Sequence, residues 1–339
     1  MDRQMGQKSP AAVDTPPTTE EQLNVRVVWL YFMEGRTQAE IAETLSTNRL
    51  RINRIINEAR RSGLVSITLN SRLTSCVEFE QELASRFGLK RAIIIPTPQD
   101  VEQIPVLLGQ ATADYVTQLL NADKMKGIGV GWGATLRETV RHMPAMRRPE
   151  LCVNSVMGGL TRGIEINTFD IASDLARQLN AECAYLAAPI YSGSPESRDA
   201  IMHQDVFEEA FARVAANDLI LLSIGDLTDR SLLMRYGLPK DISIEEIAEA
   251  GACGDILGQF IDRSGHAVDH PINRRAIALP FEALRQIPNV VFASGGLHKA
   301  EAIAAVLASG LGSAIICDEQ TARKAMMIAL QHGAGSASA

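Results

Sequence analysis

The chain has 339 residues, of which 46% are hydrophobic and 22% charged, a composition typical of a globular protein. Its length exceeds the usual size of one domain, so we expect two domains. The formal net charge of −7 excludes a polycation, so any contact with nucleic acid requires a local basic patch.

The N-terminal segment 1–19 lacks the apolar core of a signal peptide and is predicted to be a disordered lead. The longest uncharged segment, 302–317, is interrupted by glycines and too short to span a membrane. The five cysteines include no C-x-x-C pair, which disfavours a zinc ribbon and a disulfide framework. We therefore expect a soluble cytoplasmic protein with no membrane partner, no metal and no cofactor.

Residues 20–34 have the apolar spacing of an amphipathic helix, which Gly35 can end. Thr37 and Glu40 then form a capping-box pattern that opens a short second helix. Residues 46–48 are typical of a turn. The sequence thus predicts two helices in tandem, followed closely by a third.

The third predicted helix begins at Arg49 and carries apolar residues at 52, 55, 56 and 59, which fall on one face. Gly63 ends this helix, and residues 65–70 alternate as a short strand does. Residues 48–72 hold six arginines and only one acid, Glu58. This order of helices and strand is the layout of a winged helix-turn-helix domain over 20–72.

The basic surface of the third helix suits DNA, because Arg and Asn can bind guanine and adenine bidentately while further arginines neutralise phosphates. The alternative is a charged face that is merely solvated. The tandem helices and the predicted wing favour the DNA-binding interpretation over this alternative. The residues predicted to contact DNA are Thr47, Asn48, Arg49, Arg51, Asn53 and Arg54.

Residues 73–332 are predicted to form an α/β domain with a doubly wound parallel sheet. A helix over 77–89 is followed by apolar runs that alternate with amphipathic segments such as 168–180 and 298–309. Continuous apolar strands separated by helices indicate a parallel sheet covered on both faces. The seven predicted strands lie within 92–96, 126–132, 151–158, 181–189, 217–225, 289–296 and 312–318.

Ligands of open α/β sheets bind beyond the carboxyl ends of the strands, so the loops there are candidate sites. The first loop contains Gly131, Gly133 and Thr135 before a predicted helix, where backbone N–H groups and a hydroxyl could hold a phosphate or a polyol. It matches neither a dinucleotide-binding nor a Walker pattern. A purely structural strand-to-helix turn is equally compatible with these residues.

Four more loops have the same placement. Gly158 lies in the second, with Asn167 shortly after it, and the third is 187–189. The fourth places Asp255 between glycines, where its carboxylate could accept hydrogen bonds from sugar hydroxyls. The fifth presents Lys299 at a helix start, which suits an anion. Each loop has an alternative interpretation as ordinary turn chemistry.

The segment 262–270 carries two aspartates and two histidines, which suggests a metal or acid–base cluster. However, its pattern resembles a hairpin, in which neighbouring side chains point to opposite faces and need not converge. The chain also lacks the G-x-S-x-G, H-E-x-x-H and nucleophilic cysteine signatures. No catalytic or metal-binding residue is predicted.

Several of these motifs together resemble the SorC type of bacterial sugar-responsive transcriptional regulators. The head resembles the DNA-binding domain of that family, including a helix followed by AR-x-x-G-x-V. The body is similar to its effector domain in FGL…AIIIP, GVGWGATL, GG-x-x-R, AAP, GACGDILGQFID-x-x-G and GG-x-x-KAEAI, in the same order. The resemblance covers residues 22–330, and within the family it is nearest to regulators of erythritol catabolism.

The resemblance implies a dimeric or tetrameric repressor or activator that binds operator DNA. It implies an effector domain with the fold of glucosamine-6-phosphate deaminase and ribose-5-phosphate isomerase, without their chemistry, and a sugar, polyol or sugar phosphate as effector. Carried over to this chain, the effector-binding residues are Gly131, Gly133, Thr135, Gly158, Asn167, Asp255 and Lys299.

A second hypothesis is a sugar-phosphate isomerase or deaminase-like enzyme with an accessory head. It explains the body but not the basic third helix. An isomerase also needs positioned proton-transfer groups, and the sequence offers Asp255 without an evident partner. The sequence therefore favours the regulator over the enzyme.

Overall fold

The computed structural model describes residues 19–61, 64–65, 74–161 and 167–336. The chain divides into two compact units, Met1–Asn70 and Ser71–Ala339. Residues 1–18 of the predicted lead lie outside the described part, whereas Thr19 is already the first residue of a helix.

The first unit contains the three predicted helices, α1 (Thr19–Phe32), α2 (Gln38–Thr44) and α3 (Arg49–Arg61). The predicted capping box opens α2: the Glu40 N–H donates to Thr37 Oγ1 at 3.3 Å, and the Thr37 N–H donates to Glu40 Oε2 at 2.8 Å. The three helices share one small core, formed by Val27, Leu30, Ile41, Ala42, Ile52, Ile55 and Ile56. The helical part of the prediction is confirmed, while the predicted wing falls almost entirely outside the described residues.

The second unit is built on a seven-stranded parallel sheet. Its strands are β1 (Arg91–Ile95), β2 (Gly127–Val130), β3 (Cys152–Ser155), β4 (Glu182–Ala184), β5 (Leu219–Leu222), β8 (Asn289–Ala293) and β9 (Ala314–Asp318). Their order in the sheet is β1-β9-β8-β5-β2-β3-β4. Six of the seven predicted apolar runs contain one whole strand, and the run 92–96 contains all of β1 except its first residue, Arg91. A separate antiparallel hairpin is formed by β6 (Gly254–Ile256) and β7 (Gln259–Ile261).

Helices cover both faces of this sheet. Along β5, Ile220 and Leu222 belong to one core, whereas Leu219 and Leu221 belong to the other, because successive strand residues point to opposite faces. The predicted doubly wound sheet is therefore confirmed. The helices of the unit are α4 (Thr74–Phe87), α5 (Ile104–Ala122), α6 (Ala134–His142), α7 (Thr168–Leu179), α8 (Pro195–Met202), α9 (Asp205–Ala215), α10 (Ile244–Glu249), α11 (Phe281–Leu284), α12 (Ala300–Ser309) and α13 (Glu319–Ser336). In the described part of the chain, none of the helices has the length and apolarity that a membrane crossing requires.

The prediction that Asp255 lies in a loop at the end of a sheet strand is wrong. Asp255 is the middle residue of β6, and the turn to β7 consists of Leu257 and Gly258, both with positive φ. Two consecutive residues with positive φ are what a tight two-residue hairpin requires. The hairpin reaches the sheet by an antiparallel bridge between Asp255 and Gly225, which follows β5, and this bridge brings the carboxylate to the carboxyl ends of the strands.

Candidate functional site

A cavity of about 730 Å³ lies at the carboxyl ends of the sheet strands. Its wall is formed by segments that follow β1, β2, β5 and β8, by the last residue of β9, and by Asp255 from the hairpin. These strands are neighbours in the middle and on one side of the sheet, so their ends meet at one edge. The cavity thus lies where ligands of open α/β sheets bind.

Four of the predicted effector residues line this cavity: Gly133, Thr135, Asp255 and Lys299. Gly133 has a φ of 133° and precedes α6, which has no side-chain cap at its N-terminus. The first N–H groups of a helix lack intrahelical partners and carry a partial positive charge. The start of α6 can therefore hold an anion or a hydroxyl oxygen, as the glycine-rich sequence suggests.

The other three predicted effector residues are not part of the cavity wall. The Gly131 N–H is bound to Leu221 O at 2.9 Å, so its role is strand pairing. A Cβ on Gly158 would lie 2.4 Å from Pro189 O, so this glycine permits two backbones to approach closely. The Asn167 amide donates to Leu160 O at 3.1 Å. Arg162 of the GG-x-x-R motif lies outside the described residues.

Asp255 is a buried carboxylate of the cavity wall. It is 3% exposed, its Oδ2 accepts a hydrogen bond from the Gly258 N–H at 3.1 Å, and its buried Oδ1 has no hydrogen-bond partner. A Cβ on Gly225 would lie 1.8 Å from that Oδ1, so only glycine leaves room for it. An unpaired buried acceptor is costly. In the structure Oδ1 is therefore an unpaired buried acceptor.

Burial raises the pKa of Asp255 to about 7, although the Gly258 N–H and Lys299 act in the opposite direction. The unfolded chain has the ordinary pKa of 3.8, so between that pH and about 7 the folded state binds the proton more tightly. The resulting stabilisation is present at low pH and is lost as the pH rises through about 7. The expected loss is on the order of 4 kcal/mol at most.

We expect Asp255→Asn, which cannot titrate, to lack this pH dependence. The free energy of unfolding of the wild type should fall relative to that of the variant as the pH rises from 4 to 7, since the folded wild type alone loses a bound proton in this range. Chemical denaturation of both proteins at pH 4, 5.5, 7 and 8 measures the difference. If the free energies of unfolding of the two proteins change in parallel across this pH range, the burial of the Asp255 carboxyl group is contradicted.

Three further polar side chains line the cavity together with Asp255. Lys299 Nζ donates to Ile224 O at 2.8 Å, and burial lowers its pKa while Asp226 and Asp255 oppose that effect. Buried Asp226 accepts a hydrogen bond from the Thr228 N–H at 2.8 Å. His298 Nε2 lies 3.7 Å from Asp226 Oδ2, and burial lowers its pKa despite this carboxylate. The lowered pKa favours the neutral imidazole, which can donate to or accept from a hydroxyl.

The sequence did not single out Asp226, Arg230, Arg235 or His298, which also line the cavity. The first three follow β5, in a segment without the glycine-rich pattern that marked the other loops. Predicted strand 217–225 ends directly before Asp226, so its carboxyl end was the available signal. Arg230 and Arg235 are exposed, and neither forms an ion pair with a carboxylate among the described residues. Together they supply two cations at the cavity for an anionic ligand group.

The segment 262–270 forms no metal site in the structure. Asp262 accepts hydrogen bonds from the Ser264 and His266 N–H groups, and Asp269 pairs with Arg274 at 3.2 Å. Asp262 thus stabilises its own turn, and Asp269 forms an ion pair. No group of three metal-ligating side chains occurs in the part of the chain that the structure describes.

The first unit presents a second candidate site, the outer face of α3. All the predicted DNA-binding residues are exposed except Thr47, which is half-buried. Asn48 caps the helix, since its Oδ1 accepts from the Arg51 N–H at 2.8 Å. Among the described residues, no carboxylate pairs with Arg49, Arg51 or Arg54. This face therefore offers uncompensated positive charge, as binding to phosphates requires.

Comparisons with known proteins match this chain to a sugar-binding domain and to transcriptional regulators. The family model described as "Putative sugar-binding domain" matches residues 71–327. The erythritol catabolism regulatory protein EryD of Brucella abortus is 30% identical over 305 residues, covering 90% of this chain and 96% of its own. The transcriptional regulator LsrR of Escherichia coli K12 is 30% identical over 317 residues, covering 92% and 96%. The full-length sorbitol operon regulator SorC from Klebsiella pneumoniae superposes with a TM-score of 0.69 at 23% identity, over 92% of this chain and all of that one.

Proposed function

The chain belongs to the SorC type of sugar-binding transcriptional regulators, and on that basis we propose that it binds operator DNA through α3 and responds to a hydroxyl-rich effector in the cavity. Residues 20–72 would form the DNA-binding domain, and residues 73–332 the effector and oligomerisation domain. A sugar-responsive regulator in this family needs one surface for DNA and one for a small molecule. The basic face of α3 and the cavity supply them.

The observation that carries the effector assignment is the unpartnered Oδ1 of Asp255. An ionised carboxylate is an acceptor only, so its missing partner is a donor. Sugar and polyol hydroxyls are donors of suitable size, and further acceptors and donors are available at Asp226 and His298. The name of the Brucella relative, a regulator of erythritol catabolism, supports a polyol as effector.

The charged and polar groups of the cavity also indicate the class of effector. The uncapped start of α6, together with Arg230 and Arg235, suits a phosphate, whereas Asp226 and Asp255 suit hydroxyls. A linear polyol, a sugar or a phosphorylated form of either would meet both sets of groups. We therefore propose this class of effector.

The cavity does contain acid–base groups, so its chemistry alone does not separate a regulator from an isomerase. Asp255 and His298 could both exchange protons with a sugar. The relatives decide the question, since those with 30% identity across nine-tenths of the chain are transcriptional regulators. The hypothesis of an enzyme with an accessory head is therefore not retained.

We further propose that the protein acts as a symmetric dimer or tetramer and as a repressor in the cytoplasm. One three-helix unit contacts too few base pairs for selection within a genome, so paired half-sites are expected. Two-fold symmetry of the protein would then match two-fold symmetry of the operator.

Light scattering of the protein with an operator duplex, titrated with erythritol, sorbitol, ribose and their phosphates, tests the proposal. The operator is obtained by selection from a randomised duplex pool. We expect a complex of two or four 36.8 kDa chains on the duplex, and its dissociation by at least one of these compounds. A monomer with and without DNA would contradict the proposed oligomer. A complex that none of the compounds affects would contradict the proposed effector class.

A further inference from the structure

Leu50 is the most exposed large hydrophobic side chain of the described residues, at 82%. It is the second residue of α3, between Arg49 and Arg51. Fully exposed leucines are not unusual singly, but this one lies at the start of the helix that the proposed function places on DNA.

The geometry of α3 sets Leu50 at the centre of its outer face. With about 100° of rotation per residue, positions 50, 53, 54 and 57 share one side of the helix. The opposite side carries Ile52, Ile55, Ile56 and Ala59, which are buried. Leu50 therefore points away from the core, in line with the polar side chains of Asn53 and Arg54.

Local contacts hold this end of α3 in place. The Asn48 side chain caps the first turn through the Arg51 N–H, and Arg49 Nε lies 3.5 Å from Gln38 Oε1 on α2. The backbone that carries Leu50 is thus fixed before any partner binds. In helix-turn-helix proteins the first residues of the recognition helix contact base edges in the major groove.

Building on the proposed function, we propose that Leu50 reads thymine by packing on the 5-methyl group in the major groove. Thymine alone presents a methyl group there, and apolar side chains are the groups that contact it. The surrounding charge favours DNA over another protein surface: Arg49, Arg51 and Arg54 flank the leucine without carboxylate partners among the described residues. A second copy of this face would bring like charges together, whereas a duplex neutralises them.

Deoxyuridine tests this contact because it lacks only the methyl group and keeps the base pairing of thymine. The probe is the duplex that the wild-type chain selects from a randomised pool, with each thymine replaced in turn by deoxyuridine. We expect the wild type to lose about fourfold in affinity at one or two thymines per half-site. Leu50→Ala should bind the thymine duplex more weakly and should not distinguish it from the deoxyuridine duplex at those positions.

Val25→Ala is the matched control, because Val25 is an exposed hydrophobic residue on α1 and does not belong to the face of Leu50. This variant should keep the wild-type preference for thymine. Three results would overturn the inference and leave the DNA-binding function intact. The wild type could bind every deoxyuridine duplex as tightly as the thymine duplex, or the selected site could contain no thymine. The third is that Leu50→Ala keeps the wild-type preference for thymine. A chain that selects no duplex would overturn both.

Discussion

Replacing Arg51 or Asn53 by alanine is expected to weaken the preference of the protein for its operator over a scrambled duplex. Both side chains are exposed on α3, and Arg51 has no carboxylate partner among the described residues. Asn53 Oδ1 accepts a hydrogen bond from Asn57 Nδ2 at 3.2 Å, and a carbonyl oxygen has a second lone pair for adenine. Each base contact contributes roughly 1–3 kcal/mol, so operator affinity should fall about 5- to 150-fold.

The two duplexes are compared in gel-shift titrations at one salt concentration, because the affinity for phosphates depends on salt. Arg26→Ala is the matched control, since it removes an exposed cation from α1 of the same unit. It should leave the ratio of the two affinities unchanged. If Arg51→Ala and Asn53→Ala also keep the wild-type ratio, α3 does not read the bases.

The parallel sheet could be predicted from the sequence because its strands are continuous apolar runs. Residues 219–222 and 314–318 are buried on both faces, and no loop or surface helix needs such a run. The start of α2 was equally predictable, since the capping box at Thr37 marks it. These features are local, and local patterns report them directly.

The hairpin that carries Asp255 could not be predicted in the same way. Its strands have three residues each, too few for a hydrophobic period, and its turn uses Leu257 with a φ of 58°. A leucine in this conformation is uncommon, so its sequence does not signal a turn. The position of Asp255 depends on the bridge to Gly225, thirty residues earlier in the chain. Contacts across that distance leave no periodic trace in the sequence.

Glycine-rich loops were an ambiguous guide to the cavity. Gly133 does precede an uncapped helix that faces the cavity, whereas Gly158 allows close contact with Pro189 O elsewhere. Both functions select glycine for the same physical reason, the absence of a Cβ. Asp226 shows the converse, since it lines the cavity from a segment that has a single glycine, Gly225, and no glycine-rich pattern. The position of a residue at a strand end was the better signal.

Asp255→Asn and Lys299→Met are expected to leave operator binding near the wild-type level without effector and to blunt the response to it. A ligand changes DNA affinity only by binding two states of the protein differently, and a coupling of 1–3 kcal/mol corresponds to about 5–150-fold. Asp255→Asn removes the charge but keeps an oxygen for the Gly258 N–H. Lys299→Met removes the cation and keeps most of the aliphatic length. Operator affinity is measured with and without each compound that acts on the wild type.

The two variants should differ according to the effector. Loss of the response in Lys299→Met indicates an anionic effector, because the ammonium group is then its partner, whereas loss in Asp255→Asn alone indicates a neutral polyol bound through its hydroxyls. Asp269→Asn is the control, since this carboxylate is 94% exposed, pairs with Arg274 and does not line the cavity. A purely structural role would instead lower the melting temperature and weaken operator binding together, because Lys299 also donates to Ile224 O. A full wild-type response in both variants would place the effector outside this cavity.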